Sequence, residues 1–287
     1  MFDDPTSQTT ELLVGGFVIL MMLNVGIDLT LEKIRSVLHS PKLLTIGLFL
    51  NYLVVPALFF GLARLFNVTD GWAVGLLFVA AAPGGPVASV MVQNARGHLA
   101  LAVSLMVVMN LLNTVLTPIG IWVMDAMPMT DGSSSVVFGM IKTIFWFQVL
   151  PLAIAMGFRH WAPEKAIRLQ PTIERSAKLL LIVVAIGVVA SEIQDLQYLP
   201  WGLIAALNIG VPISLFLGWW LTPGTIEDKI AISLTVPYRS ISVVLLLVAA
   251  WVKDGDAILA VMAYSGTMMW VCLAASAWMR KRTAIAG

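Results

Sequence analysis

The feature that most constrains the fold of this chain is a succession of nine apolar runs. They lie near Leu12–Thr30, Leu43–Phe66, Trp72–Gln93, His98–Met124, Val136–Phe158, Ala177–Ser191, Leu199–Leu221, Ile230–Val252 and Ala257–Met279. A hydrocarbon layer of about 30 Å, crossed at about 1.5 Å per residue, needs roughly 20 apolar residues. Eight of the runs meet that length or approach it, and the sixth is short. Inside lipid each backbone N–H and C=O must be satisfied by the protein, which makes a long apolar run a helix. The connections between runs are short, with no room for a separate soluble domain. Residues 1–287 therefore read as a single transmembrane domain, all-α, with nine transmembrane helices. Charged residues make up 11% of the chain, against about 25% in soluble proteins. A net charge of +1 without a basic tract gives nucleic acid no purchase. The single cysteine, Cys272, rules out an internal disulfide.

The basic residues set the orientation. Lys33, Arg35, Lys42, Arg96, Arg159, Lys165, Arg168, Arg175, Lys178, Lys229 and Arg280-Lys281-Arg282 fall on one side of the nine crossings. The other side, with Asn67–Asp70, Asp125–Gly132 and Glu192–Asp195, is almost free of them. The C-terminus is thus expected in the cytoplasm and the N-terminus outside, in a bacterial inner membrane. Met1–Thr10 is acidic and reads as unstructured. The first basic residue is Lys33, so no cleavable signal is expected.

Arg239 is the only charged residue near the middle of a run. A charge at bilayer depth costs at least about 2.5–3.5 kcal/mol and normally faces a cavity or a partner. Pro237, two residues earlier, lacks a backbone donor and frees carbonyls beside the cation. Arg239 then either binds a ligand or bonds the carbonyls of neighbouring helices, with Tyr238, Ser240 and Ser242 shaping its surroundings. A second break, Pro83-Gly84-Gly85-Pro86, interrupts the third run. The two breaks are equivalent positions of an internal repeat at an offset of about 155 residues. Asn51–Gly61 matches Asn208–Gly218, and His98–Val103 matches Ala257–Val261. Five helices separate each matched pair, and an odd number inverts the topology. Inverted repeats with paired broken helices point to a secondary transporter with its binding site at the breaks. Asn110, Asn113, Thr114 and Thr117 share one helix face. That face either lines a substrate pathway or bonds other helices. His98 reads as an interfacial residue, Lys142 as a snorkelling one, and Trp72, Trp201, Trp251 and Trp278 as interfacial belts. No nucleophile triad, paired catalytic carboxylates or phosphate loop is present, so an enzyme is not expected.

With these motifs the chain resembles the bile acid:sodium symporter family. Met22–Thr30 resembles its MGLxLT stretch, His39–Lys42 its HPK turn, and Ala82–Gly85 its CPGG start of a crossing helix. Ala95–Val103 resembles the loop and helix that follow, and Leu116–Pro118 that helix's end. The resemblance implies a ten-span fold from which the first helix is missing. Repeat one then covers about 11–125, without its first helix, and repeat two about 135–280. It also implies a panel domain and a core domain, alternating access, and sodium-coupled uptake of an organic anion.

The family's sodium ligands do not transfer. Its Ser-Asn pair falls on Ala88 and Ser89, and the Ser and Thr of the next helix on Ala102 and Met106. The shared Glu falls on Ser233, a nearby Gln on Pro237 and a further Gln on Asn51. All sixteen acidic residues lie in termini, loops or helix ends. Arg239 is expected to occupy or overlook the vacated cation space and to hold a substrate carboxylate or sulfonate. The expected substrate groups are Arg239, Tyr238, Ser240, Pro83, Gly84, Gly85, Pro86, Ser89, Asn110, Asn113 and Thr114. The expected function is transport of a small organic anion across the lipid bilayer. No cofactor is expected, Na⁺ is not favoured, and the oligomeric state is open. A sodium symporter with rearranged ligands and a non-transporting sensor on the same scaffold are the alternatives. An arsenite-type carrier fits less well, because Cys272 is expected nowhere near the crossing helices.

Overall fold

The computed structural model describes residues 5–28, 41–85, 87–124, 126, 133–191 and 199–286. Twelve helices carry the described chain. They are α1 (Pro5–Asp28), α2 (Pro41–Leu65), α3 (Asp70–Ala81), α4 (Val87–Asn94), α5 (Leu99–Val123) and α6 (Ser133–Ile144). The rest are α7 (Leu150–Trp161), α8 (Pro163–Ser191), α9 (Trp201–Leu221), α10 (Ile226–Thr235), α11 (Ile241–Leu247) and α12 (Gly255–Ala286). Helix α1 starts at Pro5, so the N-terminal segment expected to be unstructured is helical from that residue on. Proline is at home in a first helical turn, where its missing N–H has no partner to lose. Helix α8 also starts well before the apolar run Ala177–Ser191. Its first half carries Lys165, Arg168, Glu174, Arg175 and Lys178, with Lys178 paired to Glu174 one turn away.

Three helices pass through π-helical turns, at Leu50–Val54 within α2, at Phe145–Val149 between α6 and α7, and at Val248–Val252 after α11. The first two precede Pro56 and Pro151. A proline cannot donate to the preceding turn, and a widened turn accommodates it without ending the helix.

The helices pack in two groups. Helix α1 lies along α7 and α8, while α12 lies along α3, and α9 packs on α2, α10 and α12. Gly75 permits the close approach of α3 to α12, because a Cβ there would collide with the Ala257 carbonyl. The first group meets the second mainly where α1 reaches α11, and α6 joins α5.

Five helices are long and apolar enough to cross a membrane: Pro41–Leu65, Leu99–Val123, Ser135–Trp161, Trp201–Leu221 and Gly255–Lys281. Leu12–Asp28, Asp70–Ala81 and Ile241–Val252 are shorter apolar helices. No more than half of each long apolar window is buried in the protein. Phe138, Trp146, Phe216 and Trp270 are among the exposed apolar side chains, as lipid contact requires. Trp201 and Trp278 are exposed, but Trp72 is buried and Trp251 donates to Thr143 Oγ1 at 3.3 Å. Trp72 packs within the protein, which corrects its assignment to an interfacial belt, while Trp251 is half-buried.

The start of α10 shows why a charged residue settles at a helix end. Thr225 and Asp228 form a capping box, and His98 Nδ1 lies 2.7 Å from Asp228 Oδ1. Burial acts to raise the Asp228 carboxyl, but the bonds with His98 and Thr225 outweigh it and leave the group below its ordinary 3.8. A lowered carboxylate adds stability above its unfolded-state value and loses it as pH falls through the folded one. Asp228→Asn is expected to destabilise by about 1 kcal/mol near neutrality. The gap in apparent melting temperature to wild type should narrow below about pH 4. A gap unchanged at lower pH would contradict this role for the carboxylate.

Candidate functional site

Both predicted breaks are present, and they meet. Helix α3 stops at Ala81 and α4 starts at Val87, while α10 stops at Thr235 and α11 starts at Ile241. Pro83 and Arg239 form an antiparallel bridge. Ser240 N donates to Ala82 O at 2.8 Å, and Gly84 N to Tyr238 O at 3.1 Å. Gly84 turns through a left-handed φ of +96°. A Cβ on Gly85 would lie 2.5 Å from the Arg239 carbonyl oxygen. Only glycine lets the two backbones come this close.

A helix broken inside a membrane leaves carbonyls without partners, and each must be satisfied. The polar face of α5 does much of this. Thr117 Oγ1 donates to Ala81 O at 3.1 Å and Asn113 Nδ2 to Pro83 O at 2.7 Å. Asn110 Nδ2 donates to Met106 O at 3.0 Å and lies 3.5 Å from Gly84 O. The Tyr52 hydroxyl, 2.7 Å from Asn113 Oδ1 and 2.9 Å from Met109 O, holds the Asn113 amide in place. In the second break Tyr264 donates to Pro237 O at 2.8 Å. Of the two roles open to this face, the structure displays the bonding one: Asn110 and Asn113 spend their donors on the protein.

Arg239 is 1% exposed and supplies the remaining donors. Nη1 reaches Asn51 O at 3.1 Å and Ala80 O at 3.2 Å, and Nη2 reaches Val236 O at 3.0 Å. Each of these carbonyls is free for a local reason. In the π turn Val55 N bonds Leu50 O, and the next residue, Pro56, has no N–H for Asn51. Gly84 N and Ser240 N, the helical partners of Ala80 O and Val236 O, are committed across the crossing. Two of the three carbonyls therefore belong to the C-terminal ends of half-helices, where the helix dipole is negative. The guanidinium balances both ends at once. Its ion pairing is nil among the described residues, and its Nε has no partner.

The other expected residues fall around this centre. Tyr238 and Ser240 are buried, and their hydroxyls have no partner, as is also true of Thr114 Oγ1. Ser89 is half-buried and has an interaction partner, and Pro86 lies outside the described residues. Ala88, Ala102, Met106 and Ser233 are buried. Ser233 donates to Leu215 O at 2.8 Å, and the Asn51 side chain to Gly47 O at 2.8 Å. Pro237 contributes only its carbonyl, taken by Tyr264. Among the described residues no cluster of His, Cys, Asp or Glu could hold a metal.

Several residues of the centre were not singled out in the sequence. Tyr52 and Tyr264 join the expected Tyr238 at the crossing, and a phenol in an apolar helix is the signal that marks them. Gln148, in the π turn before α7, donates to Asn110 O at 2.9 Å. Its Oε1 is buried without a partner, as is Asn24 Oδ1 on α1. Cys272, expected away from the crossing helices, is instead near enough to Tyr238 and Tyr264 for electrostatic interaction, which corrects that expectation. The packing of α12 across α3 brings it there.

Residues 16–198 match the family model described as the Sodium Bile acid symporter family. The chain belongs to this family. Symporters of this family are membrane transporters and not enzymes, and this member is an integral membrane protein. Among its relatives, a probable chloroplastic sodium/metabolite cotransporter of Arabidopsis thaliana is 35% identical over 34% of this chain and 24% of its own length. An uncharacterized sodium-dependent transporter of Bacillus subtilis is 27% identical over 55% of this chain and 49% of its own. The ileal sodium/bile acid cotransporter of Oryctolagus cuniculus is 25% identical over 58% of this chain and 49% of its own. The chain thus spans a quarter to a half of the length of these curated relatives.

Proposed function

We propose that this family member is a secondary carrier of a small organic anion, working by alternating access. In this reading the chain crosses the membrane nine times as two inverted repeats, with its N-terminus outside. Helices α1, α7 and α8 form the panel, and the helices packed on the crossing form the core. The observation that carries the reading is the crossing itself: two helices broken at matching positions and paired backbone to backbone. Broken helices of this kind hold substrate near the bilayer midplane.

The chemistry at the crossing favours an anion. Arg239 keeps a full positive charge there without an acidic partner among the described residues, and α4 and α11 begin at the breaks with their positive dipole ends. Arg239 acts on the substrate through its field, since its Nη donors are bonded to carbonyls in this conformation. The unpartnered hydroxyls of Tyr238, Ser240 and Thr114 are left for direct contact. Uptake into proteoliposomes decides the matter, using labelled carboxylates, sulfonates and bile salts against protein-free vesicles. Saturable uptake of at least one class is expected. Thermal stabilisation by an anion without any flux would favour the sensor, and no response to any of them would overturn the reading.

A further inference from the structure

We propose that Arg239 is a built-in replacement for a coupling cation, so that the carrier works without sodium. This rests on the carrier reading above and concerns the same crossing. Broken helices in carriers present unwound carbonyls and half-helix C-terminal ends, and these are the groups that hold a small alkali cation. Here three such carbonyls, from α2, α3 and the end of α10, converge on one point. The point is filled by a guanidinium.

The residues do not fit a sodium ion in addition. The backbone carbonyls of the crossing are already bonded: Asn51 O, Ala80 O and Val236 O to Arg239, Ala81 O to Thr117, Pro83 O to Asn113 and Pro237 O to Tyr264. The buried oxygens left without a partner, of Asn51, Thr114, Tyr238 and Ser240, are all neutral and cannot offset the charge of a second cation. Ser233 donates to Leu215 O, and no metal-binding group of acidic residues is present among the described residues. A second cation beside a buried guanidinium would meet strong repulsion at low dielectric, with no carboxylate paired to the guanidinium among the described residues to relieve it. Arginine also stays protonated at any physiological pH. The charge that a symporter would borrow from the medium in each cycle is permanent here and moves with the protein. It carries no ion gradient, so net movement of substrate follows the substrate's own gradient or exchange.

The first test uses the wild-type protein. Binding of ²²Na⁺ is measured directly, and anion uptake is compared in NaCl, KCl and choline chloride. No saturable ²²Na⁺ binding at millimolar concentration and uptake equal within twofold in the three salts are expected. Saturable ²²Na⁺ binding, or uptake reduced more than tenfold outside NaCl, would overturn the proposal. If no anion is taken up in any salt, the carrier reading fails, while the ²²Na⁺ measurement still decides the cation question.

The second test empties the position. Arg239→Ala exposes the three carbonyls to a cation from solution, so its thermal stability should rise with millimolar guanidinium and with Na⁺, but not with choline. Wild type should show neither response. A variant with no selectivity among these cations would overturn the assignment. Arg239→Lys, which retains the charge, serves if the alanine variant does not fold, and its uptake should remain independent of sodium. Sodium-dependent uptake by the lysine variant would count against the proposal.

Discussion

Arg239→Met is expected to lower the apparent melting temperature of the detergent-solubilised protein by about 5–10 °C, a loss of roughly 2–4 kcal/mol. Methionine fills much of the same volume without a donor, so the change isolates the hydrogen bonds. Three buried carbonyls, of Asn51, Ala80 and Val236, lose their partner. Each unsatisfied group costs about 1–3 kcal/mol. The opposing effect is relief of the desolvation of a buried charge, which is worth several kcal/mol. Charge-assisted bonds of about 1.5–3 kcal/mol each offset most of that penalty in the wild type. The orphaned carbonyls therefore decide the sign. They cannot turn to water, and their own helices offer no N–H, because Pro56, Gly84 and Ser240 are unable to serve them. A melting temperature equal to wild type would show that the carbonyls find other partners and that Arg239 does not hold the crossing together.

Gly85→Ala is expected to reduce anion transport to less than about a tenth of wild type and to destabilise by roughly 1–3 kcal/mol. The added Cβ would sit 2.5 Å from the Arg239 carbonyl oxygen and 3.2 Å from its carbon. Both are backbone atoms, so no side chain can swing aside. The two breaks must part, which weakens the bonds from Gly84 N and Gly85 N to Tyr238 O and from Ser240 N to Ala82 O. Gly157→Ala is the matched control, since nothing lies within 4 Å of its added methyl on α7. There the better helix propensity of alanine should leave stability unchanged or raise it by up to about 1 kcal/mol. Equal transport by the two variants would show that the close approach at Gly85 is dispensable.

Part of the crossing could be read from residue types. Pro83-Gly84-Gly85 and Pro237 lack donors or a Cβ, and those properties are local. They break a helix wherever they lie. The expected repeat suggested that the two breaks pair, and Pro83 and Arg239 are bridged in the structure. The bonding of Asn110 and Asn113 was harder to read. Their spacing shows that both amides share a face, but spacing is equally compatible with a pathway wall and with interhelical bonds. Tyr52 and Tyr264 were overlooked because a lone tyrosine in an apolar helix resembles a core residue until its hydroxyl is seen to meet a carbonyl. Trp72 misled in the opposite way: a tryptophan near the end of an apolar run belongs equally to an interface and to a core, and contacts with neighbouring helices decided for the core.

The sequence by itself determined that the chain is helical and lies in a membrane, where its helices break, and that one permanent charge falls inside an apolar run. Those properties depend on apolar length, missing backbone donors and the cost of burying a charge, all of which are set by residues close together in the chain. Only the tertiary structure decided what the charge does. Asn51, Ala80 and Val236 belong to three separate helices, and no rule of local spacing predicts that their free carbonyls converge on one guanidinium. Convergence is a property of packing, and packing turned a charge that the sequence could only mark into the group that closes the crossing.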